Sequence, residues 1–262
     1  MTYQSNYEQI IREVKPTGNG AHIFAPKEWI GEEVIIVRKP KQLLKEEILS
    51  TLAPYFESII GAYLYGSRAR GEARKDSDID LFLITSIPLR IKKKGFEIIS
   101  IEESKIELAI KEEPVLIYSI LTEAKPIINA ALLEKLRAKY QIKKEDTKRF
   151  IISTKDIIKK NEELFDLDER TDNKASPSLI YSLILRLRGI FIIHKLLNKD
   201  IFSDKEFKRW LIKKGIKEDK YENINEIYKT VKNEKTTKIS INVPEARKIL
   251  EILKSEIRKL EK

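Results

Sequence analysis

The sequence predicts an α+β protein: a mixed sheet with flanking helices, followed by an α-helical bundle. Three observations carry this. Short runs that alternate apolar and polar residues, the pattern of half-buried strands, are confined to the first half of the chain. From about residue 145 helical spacing takes over, with Ser176-Pro177 and Val243-Pro244 as helix starts. Apolar residues make up 42% of the 262 residues, enough to bury a core and to exclude a disordered chain.

Each element follows from its residues. Two short β runs, 21–25 and 33–38, flank the turn-rich Pro26-Lys27-Glu28-Trp29-Ile30-Gly31. Pro40 ends this unit. Leu43, Leu44, Ile48, Leu49 and Leu52 stand at helical spacing within 41–60. Residues 61–65 read as a buried strand, 78–84 as a second and 105–110 as a third. Pro114 opens a helix to about Glu123, and 129–140 makes another. Helices are then predicted over 145–165, 177–198, 203–214, 219–233 and 244–261, with a polar loop at 166–176. The expected division is a small β-hairpin unit over 1–40, an α/β core over 41–140 and a helical domain over 141–262.

Composition narrows the chemistry. There is no cysteine, which excludes disulfides, thiolate metal sites and cysteine nucleophiles. His22 and His194 are the only histidines, too few for a histidine-rich metal site. His194 lies in an apolar helix six residues after Arg188, off its face, and is expected to be structural. No apolar run reaches the ~18–20 residues of a membrane span, and the first residues do not resemble a signal peptide. A cytoplasmic protein without membrane contact is the expectation. The net charge is +10, and residues 141–262 hold 30 basic against 21 acidic side chains. That excess fits either a polyanion surface or the solvated lysine-rich helices of a heat-adapted protein, since the chain is rich in Ile, Lys and Glu.

Chemistry must then rest on carboxylates, hydroxyls and bases, and one stretch gathers them: Tyr65-Gly66-Ser67-Arg68-Ala69-Arg70-Gly71, then Asp76-Ser77-Asp78-Ile79-Asp80-Leu81. A strand ends at Tyr65. Gly66 lets a ligand approach the backbone, Ser67 adds a donor, and Arg68, Arg70 and Arg74 surround the turn with positive charge. Asp78 and Asp80, two apart on a strand, project from one face. Adjacent carboxylates suit a hard divalent cation, Mg²⁺ or Mn²⁺, that also holds phosphates. Glu107, mid-strand in the expected 105–110 segment, would be a third carboxylate there. Three carboxylates suit two metal ions in an in-line phosphoryl displacement.

Gly66-Ser67, ten residues, then Asp78-Ile79-Asp80 resembles the signature of the DNA polymerase β-type nucleotidyltransferase superfamily, and the wording around it is closest to the minimal nucleotidyltransferase branch. The resemblance covers about residues 45–128, including the Pro114–Leu121 helix. It implies transfer of a nucleoside monophosphate from a nucleoside triphosphate, ATP by expectation, to an acceptor hydroxyl of RNA, protein or a small molecule. Asp78 and Asp80 would be metal ligands. Glu107 would bind the second metal and activate the acceptor, and Gly66 and Ser67, with Arg68 and Arg70, would hold the triphosphate. The family's third carboxylate is often Asp, so Glu at 107 is a departure. The helical domain would close the cleft from the opposite side.

The front unit, Gly18–Val34, resembles short archaeal AbrB-like, transposon-associated β-hairpin proteins. This implies either a homodimer or simple packing on the catalytic core, with DNA contact disfavoured by its balanced charge. The rival class is a catalytically inactive binding or regulatory protein on the same fold, dimerised through that unit. Glu107 beside Asp78 and Asp80 would favour the enzyme; an outward Glu107 would favour the rival.

Overall fold

The computed structural model describes residues 10, 12, 14–36, 43–75, 77–171 and 173–261. The chain divides into two compact units, residues 1–47 and 48–262.

In the first unit, β1 (Lys15–Thr17) and β2 (Gly20–His22) form an antiparallel hairpin with Lys15 opposite His22. The hairpin precedes the one expected. A single 3-10 turn covers Lys27–Trp29, and residues 32–36 form no strand. Residues 37 and 38 of the predicted second run lie outside the described residues. No described residue of this unit is buried. Helix α1 (Leu44–Leu52) contains the boundary between the units and buries Ile48 and Leu52.

The second unit is built on a four-stranded sheet. β3 (Ile59–Tyr65) leads into the one-turn helix α2 (Gly66–Arg70). The next elements are β4 (Ile79–Thr85), β5 (Phe96–Glu102), α3 (Ile106–Glu112), α4 (Pro114–Glu123), β6 (Lys125–Ile128) and α5 (Ala130–Lys139). The strand order is β5-β4-β3-β6, with β4 and β5 parallel and the other pairs antiparallel. The sheet is therefore mixed, as predicted. β3 and β4 are central, which is why both read as nearly continuous apolar runs.

The expected third strand at 105–110 is wrong: it is helix α3. Ile106, Ala109 and Ile110 have helical spacing, and the short run also alternates, so periodicity alone could not choose. Packing chose. Ile106 and Ile110 are buried, while Leu108, which strand alternation would have buried with them, is 53% exposed. The third strand is instead β5, a β-branched run just after Gly95.

The helices beyond follow the predicted spacing: α6 (Lys148–Thr171), α7 (Pro177–Leu197), α8 (Asp204–Lys213), α9 (Glu218–Lys232) and α10 (Val243–Glu261). Between them a two-residue ladder pairs β7 (Lys174–Ala175) with β8 (Ile241–Asn242). Residues 166–171, expected as loop, continue α6. Phe165 is fully buried there, and Arg247 of α10 holds Asp166 and Glu169. Two hydrophobic cores result. One lies on the sheet around Tyr63, Phe82, Ile117 and Leu133; the other lies among the helices around Phe165, Leu183, Phe207 and Leu253. Leu196 of α7 belongs to the sheet core, so α7 ties the two together. No helix among the described residues is long and apolar enough to cross a membrane.

Candidate active site

The Gly66–Ser67 turn meets the carboxylate strand directly. Gly66 has φ +71° at the start of α2, and a Cβ there would lie 1.9 Å from Asp80 Oδ2. Glycine is required both by the backbone and by the contact. Asp80 pairs across the sheet with Tyr65 and, on the other side, with Glu97 of β5. Asp78 is exposed and immediately precedes β4.

Asp80 is an uncomfortable carboxylate. Burial, then repulsion from Glu97 and Asp78, push its pKa up to about 6, against partial relief from Lys232 and Arg70. The Tyr65 hydroxyl is pushed up as well, first by burial and then by Asp80, Glu97 and Glu123. Asp78, Asp80 and Glu97 thus share one negative field at one sheet edge. Their oxygens are hard donors, the chemistry that Mg²⁺ or Mn²⁺ prefers. Among the described residues no three such side chains already stand as a closed metal cage.

Glu107 is not in this cluster. On α3, its carboxylate is 60% exposed and accepts hydrogen bonds from Lys139 Nζ (2.7 Å) and Tyr140 Oη (3.0 Å), which hold its pKa low. The register position expected for Glu107 belongs to Glu97. Its signal was present in Phe96-Glu97-Ile98, a carboxylate between two apolar residues after a glycine.

The arginines expected on phosphate are otherwise engaged. Arg68 donates to the backbone oxygens of Ser77 and Asp78, bracing the loop that carries Asp78. Arg70 donates to Glu123 (2.7 Å) and Glu72 (3.1 Å). The Gly66 amide is taken by Glu123 Oε1 at 2.8 Å.

Cations that the sequence reading missed come from α9. Lys232 Nζ lies 3.6 Å from Glu97 Oε2. Burial opposes its charge, but Glu97, Tyr228 and Asp80 outweigh this and raise its pKa. Lys229 is the opposite case: burial and then repulsion from Arg74 lower its pKa. Arg74, Lys229 and Lys232 form a cationic flank, and of the three Lys229 is the one whose charge the surroundings oppose. Their lysine-rich helix carried no local signal that singled them out.

Arg188 is sandwiched by Phe202, Phe207 and Tyr228 and bonded to Asp204, while Tyr181 stacks on Tyr228. His194 packs edge-on to Trp210 and has a pKa lowered by burial, in line with a structural role.

Residues 46–133 match the family model described as "Polymerase beta, Nucleotidyltransferase". This stretch of the chain holds the turn, Asp78, Asp80 and Glu97. Residues 4–37 match the family described as "Putative transposon-encoded protein (DUF2080)". Among solved structures, the chain is similar to the spectinomycin adenyltransferase AAD(9) from Enterococcus faecialis, crystallised with ATP and spectinomycin. The likeness has 18% identity and a TM-score of 0.42, over 81% of this chain and 97% of that one. No curated protein matches.

Proposed function

We propose that this protein is a metal-dependent nucleotidyltransferase that moves a nucleoside monophosphate from a nucleoside triphosphate, ATP by preference, to an acceptor hydroxyl. The observation that carries the reading is the partly compensated carboxylate cluster of Asp78, Asp80 and Glu97 against the Gly66–Ser67 turn. In the transfer the acceptor oxygen bonds to the α-phosphorus as the bond to the β-phosphate oxygen breaks, and pyrophosphate leaves.

Asp78, Asp80 and Glu97 are the residues that would hold the divalent ion, which when bound neutralises charge on the phosphates. Glu97 replaces Glu107 as the third carboxylate and is placed to take the acceptor hydroxyl's proton. In this reading Ser67 would meet the triphosphate from the turn, with Arg74, Lys229 and Lys232 on the other flank. The three-part division at 1–40, 41–140 and 141–262 fits these roles, with the middle part supplying the carboxylates and the last supplying the lysines. RNA, protein and small-molecule hydroxyls remain the acceptor classes to be tested.

The first unit supports a homodimer. Phe24, Ile30, Val34, Ile35 and Ile36 are all exposed, apolar side chains that a second copy of the unit would cover.

A second reading, a nucleotide-binding protein without transfer, has in its favour the outward Glu107 and Lys232 against Glu97. One assay separates the two: α-labelled ATP, CTP, GTP and UTP with Mg²⁺ or Mn²⁺, offered to the protein with RNA, with lysate protein and with small hydroxylated compounds. Label on one acceptor class, absent with Asp80→Asn, is expected. No transfer to any class, from protein that binds ATP, would establish the second reading.

A further inference from the structure

A second group of charges surrounds the turn on the side away from Asp80, and it is built differently. Glu123, at the end of α4, has a side chain only 5% exposed. Its Oε1 accepts the Gly66 N–H at 2.8 Å and its Oε2 accepts from Arg70 Nη1 at 2.7 Å. Arg70 Nε donates to Glu72 Oε2 at 3.1 Å, its Nη2 lies 3.9 Å from Asp204 Oδ2, and its guanidinium lies over the Phe202 ring.

Glu72 continues the chain. Its Oε1 accepts from Ser203 Oγ at 2.7 Å and its Oε2 from the Asp204 amide at 3.2 Å, where α8 begins. Burial opposes Glu72's charge, but these bonds outweigh it and lower its pKa. Asp204 then accepts from Arg188 of α7 at 2.7 Å, and Arg188 lies over Tyr228 of α9. Lys229 follows Tyr228 directly. An unbroken path therefore runs from the Gly66 amide to the helix that carries the cationic flank.

Gly66 touches Asp80. Whatever fixes the Gly66 amide also fixes the wall against which the Asp80 carboxylate rests. Resting on the transferase reading above, we propose that Glu123 and Arg70 are positioning residues. They clamp the Gly66–Ser67 turn against Asp80, and Glu72 fastens the clamp to α8, so that turn and helical region keep one geometry during transfer. Neither side chain binds phosphate.

A buried pair broken on one side leaves an uncompensated charge, whereas a neutral pair restores balance. This gives a test with three variants: R70Q, E123Q and the double variant R70Q/E123Q. The readouts are hydrogen exchange at the Gly66–Arg70 amides, ATP affinity, and the kcat and KM of pyrophosphate release. R70Q is expected to raise exchange at Gly66 about tenfold and to lower kcat about 10- to 100-fold, with KM for ATP within about threefold. R70Q/E123Q should regain at least about tenfold in kcat over R70Q and near-native protection of Gly66.

If R70Q does not fold, E123Q carries the test. It keeps an acceptor for Gly66, so protection should stay within about threefold of wild type. Raised KM with unchanged kcat and protection would make Arg70 a phosphate contact and overturn the proposal. Equal defects in R70Q and the double variant would do the same, as would a lower melting temperature with unaltered exchange at the turn. Were the wild type to transfer nothing, the transferase reading would fail alone, and the exchange pattern would still decide whether the clamp exists.

Discussion

Two acidic clusters flank the same glycine, and they differ in how their charge is met. Glu72, Glu123 and Asp204 are answered by Arg70 and Arg188 at hydrogen-bonding distance. Asp78, Asp80 and Glu97 have one lysine at 3.6 Å, and Asp80's pKa rises to about 6 as a result of burial and its acidic neighbours. Burial costs a carboxylate free energy in both places. Only the first cluster offsets that cost within the protein. The second is left less balanced, as the proposed cation site requires, whereas the balanced cluster holds parts together.

The largest break in that contrast is Asp80→Asn. It removes a central member of the unbalanced cluster, and transfer should fall by at least about a thousandfold while the circular dichroism spectrum stays native. Retained activity in a purified assay would remove Asp80 from the chemistry. The next step separates the two candidate third carboxylates. Glu97→Gln should lower kcat about a hundredfold or more, in the range of a lost proton acceptor or ligand. Glu107→Gln, which disturbs only an exposed contact with Lys139 and Tyr140, should change it by less than about twofold. The reverse order would restore the assignment made from sequence.

That assignment shows where local reading stops. Gly66-Ser67 and Asp78-x-Asp80 were legible because their spacing lies within one strand–turn–strand segment. The sheet partner of Asp80 was not, because pairing β4 to β5 is a tertiary event across residues 86–95. Ile106–Ile110 alternates as well as Phe96–Ile101 does, and nothing local says which run enters the sheet. The helices after 145 were legible because each buries one long stripe. The lysines of α9 were not: Lys229 and Lys232 read like any solvated lysine until the fold sets them beside Arg74 and Glu97. Arg70 misled for the same reason, since besides the neighbouring Glu72 its carboxylate partners lie 53 and 134 residues further on, in Glu123 and Asp204.

The cationic flank sharpens the comparison from the opposite sign. Lys229→Ala and Lys232→Ala should each raise KM for ATP about tenfold, the worth of one charge-assisted hydrogen bond. Lys232→Ala should also raise the Mg²⁺ affinity of the unliganded protein, because Glu97 loses its competing partner. A kcat effect with unchanged KM would place these lysines away from the triphosphate. At the first unit, Ile35→Lys tests the homodimer. Light scattering should show a dimer for wild type and a monomer for the variant, and a wild-type monomer would exclude a stable dimer.

The smallest effect is on stability, and it isolates the imbalance from catalysis. An Asp80 carboxyl whose pKa is near 6 in the fold and near 3.8 when unfolded binds its proton more tightly in the native state. Above pH 6 the native state must carry a charge that it disfavours, so the ionised group destabilises the metal-free protein. Asp80→Asn removes that charge and should stabilise the fold in chelator by about 1–2 kcal/mol once solvent screening is allowed for. The gain should be nearly complete above about pH 7, shrink as pH falls through 6 and vanish only below about pH 3, where Asp80 is neutral in both states. Mg²⁺ should reverse the order at pH 7.5, raising the melting temperature of the wild type but not of the variant. Glu123→Gln, in the balanced cluster, should lower stability at the same pH, because Arg70 loses the nearest and most buried of its three carboxylate partners. Opposite signs for two acid-to-amide changes on either side of Gly66 are what the two clusters require. The same sign for both would mean that the carboxylate edge is as well compensated as the clamp and has no need of a metal.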